Sequence, residues 1–153
     1  MCYAVFLSTS SLENLAQHNN DLLRFKRETS ASAASASLRY AQLWYIGSKS
    51  ECSCTFRHLH STELGFGKPV DWYPEDSDEI NATRAVVQII RRLVGQGHHV
   101  DCIDAWNEHD HQPPGASEMQ VKLDDLDDED FRFFENYYFD FVATARTNDK
   151  TPR

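Results

Sequence analysis

Cys52-Ser53-Cys54 and His58-Leu59-His60 place four soft or borderline donors within a nine-residue stretch. Thiolates and imidazoles are the donors that zinc and iron sites draw on. A thiolate is also the attacking species in disulfide exchange. Three chemistries are therefore open: a metal centre holding zinc or iron, a redox-active thiol pair, or one face of a strand that buries inert thiols.

Strand geometry constrains the choice. Residues 52–58 read as a strand, joined to a strand over residues 43–47 by the turn Ser48-Lys49-Ser50-Glu51. Cys52, Cys54, Phe56, His58 and His60 share parity and would line one face. Alternate strand residues lie about 6.6 Å apart, so Cys54 and His58 would stand roughly 13 Å apart. Metal–ligand bonds of about 2.0–2.3 Å cannot gather all four donors from a straight strand. The chain must turn near residues 55–57, or one pair must borrow ligands from elsewhere. Cys102, with His98 or His99, is the expected lender. The metal candidates are thus Cys52, Cys54, His58, His60 and Cys102. A reactive thiolate needs positive charge nearby, and Lys49, Arg57 and His58 are placed to supply it.

Two carboxylates interrupt apolar strand patterns. In residues 131–142, Phe131, Phe133, Glu135, Tyr137, Phe139 and Phe141 alternate as one face, so Glu135 is expected to be desolvated and raised in pKa. That makes it a candidate acid or base beside Cys52 and Cys54, or equally a structural carboxylate bonded to Tyr or Arg. Asp104 stands among Val100, Cys102 and Trp106 in the same way. Other features have plainer readings. Cys2 would become an N-terminal nucleophile if Met1 were removed, but no glycine follows it, and it reads as the start of a strand. The run from Asp124 to Asp130 lacks the central glycine of a calcium loop and reads as a solvated turn. His109 and His111 fall in a polar loop and read as solvent-facing.

The elements that must position these groups read as a mixture. Residues 3–9 form a compact apolar strand. Ser10 or Ser11 is placed to cap a short helix over residues 12–17, which Asn19-Asn20-Asp21 ends. Residues 22–29 follow as a strand, and the Ser/Ala stretch 30–37 as a mobile loop. Residues 59–74 are a long loop with Gly65, Gly67, Pro69 and Pro74. Residues 76–97 carry the clearest helix. Asp76 and Glu79 resemble a capping box, Ile80, Thr83, Val86, Val87, Ile90, Leu93 and Val94 recur at helical spacing, and Gly95 and Gly97 stop it. Strands over residues 98–106, 118–123 and 131–142 complete the pattern. The expected fold is α+β: a largely antiparallel sheet covered on one face by the long helix and the short N-terminal helix. Residues 1–143 form one domain, and residues 144–153 a polar, frayed tail.

Composition excludes some functions. The 153 residues carry a net charge of −9, and no basic stripe is present to neutralise phosphates, so no nucleic-acid partner is expected. No apolar stretch approaches the length of a spanning helix, and residues 1–11 have no charged n-region of a signal peptide. A cytosolic protein with free thiols is expected. Its partner would be a small molecule or another protein. The segments CYAVFLSTSS, YIGSKSECSCTFRHLH, ELGFGKPVDWYPED and FRFFEN resemble a family of small uncharacterised bacterial proteins over most of the chain. That resemblance implies a self-contained bacterial domain and no activity, cofactor or site residue. Two functional expectations follow: a metal-binding or thiol-active site around Cys52 and Cys54, or a non-catalytic structural or interaction domain with packed thiols.

Overall fold

The computed structural model describes residues 2–107 and 117–143. The expected loop histidines His109 and His111 and the tail 144–153 lie outside the described residues. In chain order the elements are β1 (Cys2–Thr9), β2 (Leu23–Glu28), β3 (Gln42–Ser48), β4 (His58–Leu59), α1 (Ser77–Gly95), β5 (Val100–Asn107), β6 (Ser117–Lys122), β7 (Phe133–Phe134) and β8 (Tyr137–Val142). Single 3-10 turns occupy Leu15–His18, Ser53–Thr55 and Leu123–Asp125. The fold is α+β, with a six-stranded sheet in the order β2-β3-β1-β5-β8-β6. Neighbours are antiparallel except for the parallel edge pair β6–β8. β4 and β7 form a separate two-residue parallel pair. Among the described residues no helix is long and apolar enough to cross a membrane.

Alternation places the core. Val5 and Leu7 of β1 stand opposite Ile46 and Trp44 of β3 and beside Asp104 and Cys102 of β5. The apolar members of this face join Phe139 and Phe141 of β8 and the buried α1 residues Ala82, Val86, Val87, Ile90 and Leu93 in one cluster. Removing this apolar surface from water is the main driving force for the architecture. The ends of α1 follow from sequence. Asp76 makes no side-chain cap bond, while Glu79 lies in the first turn beside the Asp76 backbone, as the carboxylate of a capping box would. At the other end Gly97 adopts φ 94°. Its N–H bonds Val94 O and the His98 N–H bonds Leu93 O, both at 3.0 Å, the Schellman arrangement.

The expected N-terminal helix is only the 3-10 turn Leu15–His18. Polar side chains capture the local backbone first: Ser11 Oγ accepts from Glu13 N, and Asn14 Oδ1 from Ala16 N. The next polar residues finish the sheet. Asn20 exchanges bonds with Leu23, its Oδ1 taking the Leu23 N–H at 3.1 Å and its N–H giving to Leu23 O at 2.9 Å. The Asn19 amide does the same for Phe25, accepting from its N–H at 2.6 Å and donating to its carbonyl at 3.3 Å. Two side-chain amides thus occupy the free edge of β2.

The aromatic run 131–142 is not one strand. It breaks into β7 and β8 at Glu135-Asn136, where Asn136 takes φ 60°. Asn tolerates that left-handed region better than most residues, and its Oδ1 accepts from the Trp106 N–H. The long loop 59–74 is anchored from beneath. Phe66 stacks on Phe131 and Phe134, each with centroids 5.1 Å away. Arg57 and Arg132, each 1 % exposed, meet Glu75, 2 % exposed. Their remaining N–H groups give to the carbonyls of Gly65, Gly67, Lys68 and Glu129. The acidic run is paired rather than merely solvated, with Arg91 on Asp128 and Arg84 on Glu129.

Candidate thiol site

The segment 52–58 is not a strand. After β3 the chain reverses through Ser48–Glu51, with Glu51 at φ 68°. Ser48 Oγ donates to Cys52 O at 2.7 Å and the Ser48 N–H bonds the same carbonyl at 2.8 Å. Gly47 makes room: a Cβ there would stand 2.6 Å from Glu51 O. The chain then enters the 3-10 turn Ser53–Thr55. Ser53 is fully buried and bridges two strands where their ladder ends. Its Oγ accepts from Val5 N at 2.8 Å and donates to Ile46 O at 2.6 Å. A small hydroxyl between two buried backbone groups is needed here, which fixes the residue between the two cysteines.

This turn places Cys52 and Cys54 beside the start of β1. The turn packs on β1, which brings Cys54 near Tyr3 and Cys2 as well as Cys52. The Cys52 sulfur accepts from the Cys54 N–H at 3.4 Å and has Ser50 Oγ at 3.2 Å. Burial raises the Cys52 thiol, but these hydrogen bonds outweigh it and leave the group below its ordinary value. Cys54 moves the other way. Burial first, then the neighbouring Cys52 and Cys2 thiols, push it up to about 11. Cys52 and Cys54 are partly exposed, and Cys2 is exposed. One thiol with a favoured anion therefore sits against another that holds its proton.

The other metal candidates are dispersed. His58 points into the protein, stacked on Tyr3 with centroids 3.8 Å apart. Its Nε2 donates to Ser53 O at 2.6 Å and its Nδ1 bonds Asp104 Oδ2 at 2.8 Å. Because a carbonyl only accepts, Nε2 carries a proton. Neither ring nitrogen is free to bind a metal unless one of these bonds breaks. Burial raises the Asp104 carboxyl, and the His58 contact opposes the rise. Asp104 Oδ1 is buried with no partner among the described residues. His60 is 79 % exposed and reaches only Glu135, at 3.4 Å. Cys102 is buried opposite Leu7, five strand residues or about 16 Å along β1 from Cys2. His99 lies at that same far end, where its N–H bonds Ser10 Oγ. Among the described residues no group of three or more His, Cys, Asp or Glu side chains is arranged to hold a metal ion.

Glu135 is not held mid-strand among aromatics. It occupies the β7–β8 turn, with its backbone N–H on Leu59 O, and faces His60. Cys2 is the site residue that spacing alone missed, because only the fold of β1 carries it to Cys54. Neither a protein-family model, nor a curated protein, nor a solved structure matches this chain.

Proposed function

We propose that the chain performs thiol–disulfide exchange at Cys52 and Cys54, with Cys2 as a third thiol in reach. The observation that carries this reading is a Cys52 sulfur that accepts from the Cys54 N–H at 3.4 Å and lies 3.2 Å from Ser50 Oγ, with Cys54 and Cys2 close by on the turn and β1. The Cys52 thiolate attacks one sulfur of a disulfide RSSR and expels RS⁻. The Cys54 thiol then loses its proton and attacks the Cys52 sulfur of the mixed disulfide, expelling the second RS⁻. The protein loses two electrons and two protons, and RSSR becomes two RSH. The lowered Cys52 thiol supplies the anion for the first step, and the raised Cys54 thiol waits protonated for the second. A reducing compartment such as the cytosol suits a pair that must return to the thiol form.

The test is intact-mass and peptide mapping after exposing reduced, untagged protein to bis(2-hydroxyethyl) disulfide. A Cys52–Cys54 bridge, abolished by Cys52→Ser, is expected. Resistance of both partly exposed thiols to the disulfide and to iodoacetamide would leave packed, inert thiols as the reading. Metal analysis of the same sample separates the coordination chemistry. Stoichiometric zinc or iron that is lost in Cys52→Ser would replace exchange by metal binding.

A further inference from the structure

A cleft of about 550 Å³ opens next to the thiol turn, within the range of roughly 300–1,000 Å³ typical of small-molecule sites. Arg24, Lys26 and Glu28 of β2 line it with Tyr45 and Gly47 of β3 and Glu51. Arg24 pairs across the strands with Gly47, and Lys26 with Tyr45, so these residues share the sheet face turned away from α1. Two walls belong to the thiol turn. Glu51 immediately precedes Cys52, and its carbonyl occupies the space that a Gly47 side chain would fill. Burial raises the Tyr45 hydroxyl, a hydrogen bond at Ser53 opposes it, and the Cys52 and Cys54 sulfurs lie near enough to add to the rise.

The charges on this wall go against the rest of the chain. The protein carries −9 overall, yet two cations stand on one wall of this cleft. Arg24 is half exposed and meets Glu51 only loosely, Nε to Oε1 at 3.8 Å. Lys26 has no ion-pair partner among the described residues. Glu28 and Glu51 border the cations, so the wall presents both signs over a short distance.

We propose that this cleft recognises the partner of the Cys52/Cys54 pair, and that the partner is a small, carboxylate-bearing, amino-acid-derived disulfide or thiol. Its carboxylates meet Arg24 and Lys26, its ammonium meets Glu28 or Glu51, and its sulfur reaches Cys52 past Glu51. This assignment rests on the thiol-exchange reading. The bond changes are those of exchange: the Cys52 thiolate forms a sulfur–sulfur bond to the bound disulfide, and the displaced half leaves as a thiolate in the cleft.

The experiment compares second-order oxidation rates of the reduced protein by oxidised glutathione, which carries net negative charge, and by neutral bis(2-hydroxyethyl) disulfide, at low and high salt. Wild type is expected to favour oxidised glutathione. R24Q/K26Q should slow that reaction about tenfold, the scale expected for removing two exposed steering charges, and leave the neutral disulfide unchanged. High salt should erase the preference. Equal rates for the two disulfides, or an equal loss with both in R24Q/K26Q, would overturn the cleft assignment while leaving thiol exchange standing. No reaction with either disulfide would overturn the exchange reading and the cleft assignment with it.

Discussion

Glu75→Gln removes the charge that two buried guanidiniums share. Glu75 Oε2 accepts from Arg57 Nε at 2.9 Å and Arg132 Nε at 3.2 Å, while Oε1 accepts from Arg57 Nη2 at 2.8 Å and Arg132 Nη2 at 2.9 Å. Burial raises the Glu75 carboxyl, but these bonds outweigh it and keep it below the ordinary carboxylate range. Glutamine keeps one acceptor oxygen and turns an NH₂ toward guanidinium N–H groups that can only donate. Breaking a buried, hydrogen-bonded charge set costs about 3–5 kcal/mol, out of a total stability of roughly 5–15 kcal/mol for a domain. At roughly 2–4 °C per kcal/mol for a chain of this length, Tm should fall by about 6–20 °C. Urea unfolding followed by the fluorescence of buried Trp44 measures the loss. Asp78→Asn is the internal control, because the Lys49–Asp78 pair is solvent-exposed and is worth less than about 0.5 kcal/mol. The apolar triple R57M/E75L/R132M should not recover wild-type stability, since it strands the carbonyls of Gly65, Gly67, Lys68 and Glu129. A Glu75→Gln loss below about 1 kcal/mol, or a triple variant as stable as wild type, would refute the reasoning.

Three further outcomes are expected. Ser50→Ala deletes a hydrogen bond to the Cys52 sulfur and should shift the pH midpoint of Cys52 alkylation upward, with slower labelling at neutral pH; an unchanged profile removes Ser50 from the account. Gly47→Ala drives a methyl into Glu51 O and should cost about 1–3 kcal/mol and impair exchange at Cys52, whereas wild-type stability and rate would show that the turn does not depend on that gap. Glu13 receives Arg92 Nη1 and Nη2 at 2.8 and 2.6 Å and contacts His18, which holds its carboxyl down to about 2. Its folded pKa is depressed, so its contribution, about 1 kcal/mol for a partly exposed bidentate pair, is present above the usual carboxylate value and is lost as pH falls toward 2. The stability gap between wild type and Glu13→Gln should therefore close over that acid range in calorimetry.

The sequence made α1 and most of the large sheet legible, because apolar periodicity there extends over many residues and tertiary packing agrees with it. It failed where one residue decides the backbone. Cys-x-Cys-x-Phe-x-His alternates like a strand, but Ser53 binds Val5 and Ile46 more favourably from inside a tight turn. Phe131 to Val142 also alternates like a strand, but Asn136 takes a left-handed conformation and splits it. The approach of Cys2 toward Cys54 had no local signature, because it depends on β1 running past the end of β3. The buried triad did leave a trace. Arg57 follows Phe56, and Arg132 interrupts Phe131 and Phe133, and a charge inside an aromatic run implies a buried partner.

The amides of Asn19 and Asn20 have a consequence for the protein in solution. A sheet edge is a template on which another chain can add a strand. Here the outward-facing groups of Leu23 and Phe25 are already bonded, by a backbone N–H of Asn20 and by two side-chain amides. The chain thus caps its own sheet with a strand surrogate two residues long. Growth from this edge would first have to evict Asn19 and Asn20, so resistance to templated self-association is built into a dipeptide that otherwise looks like a simple turn.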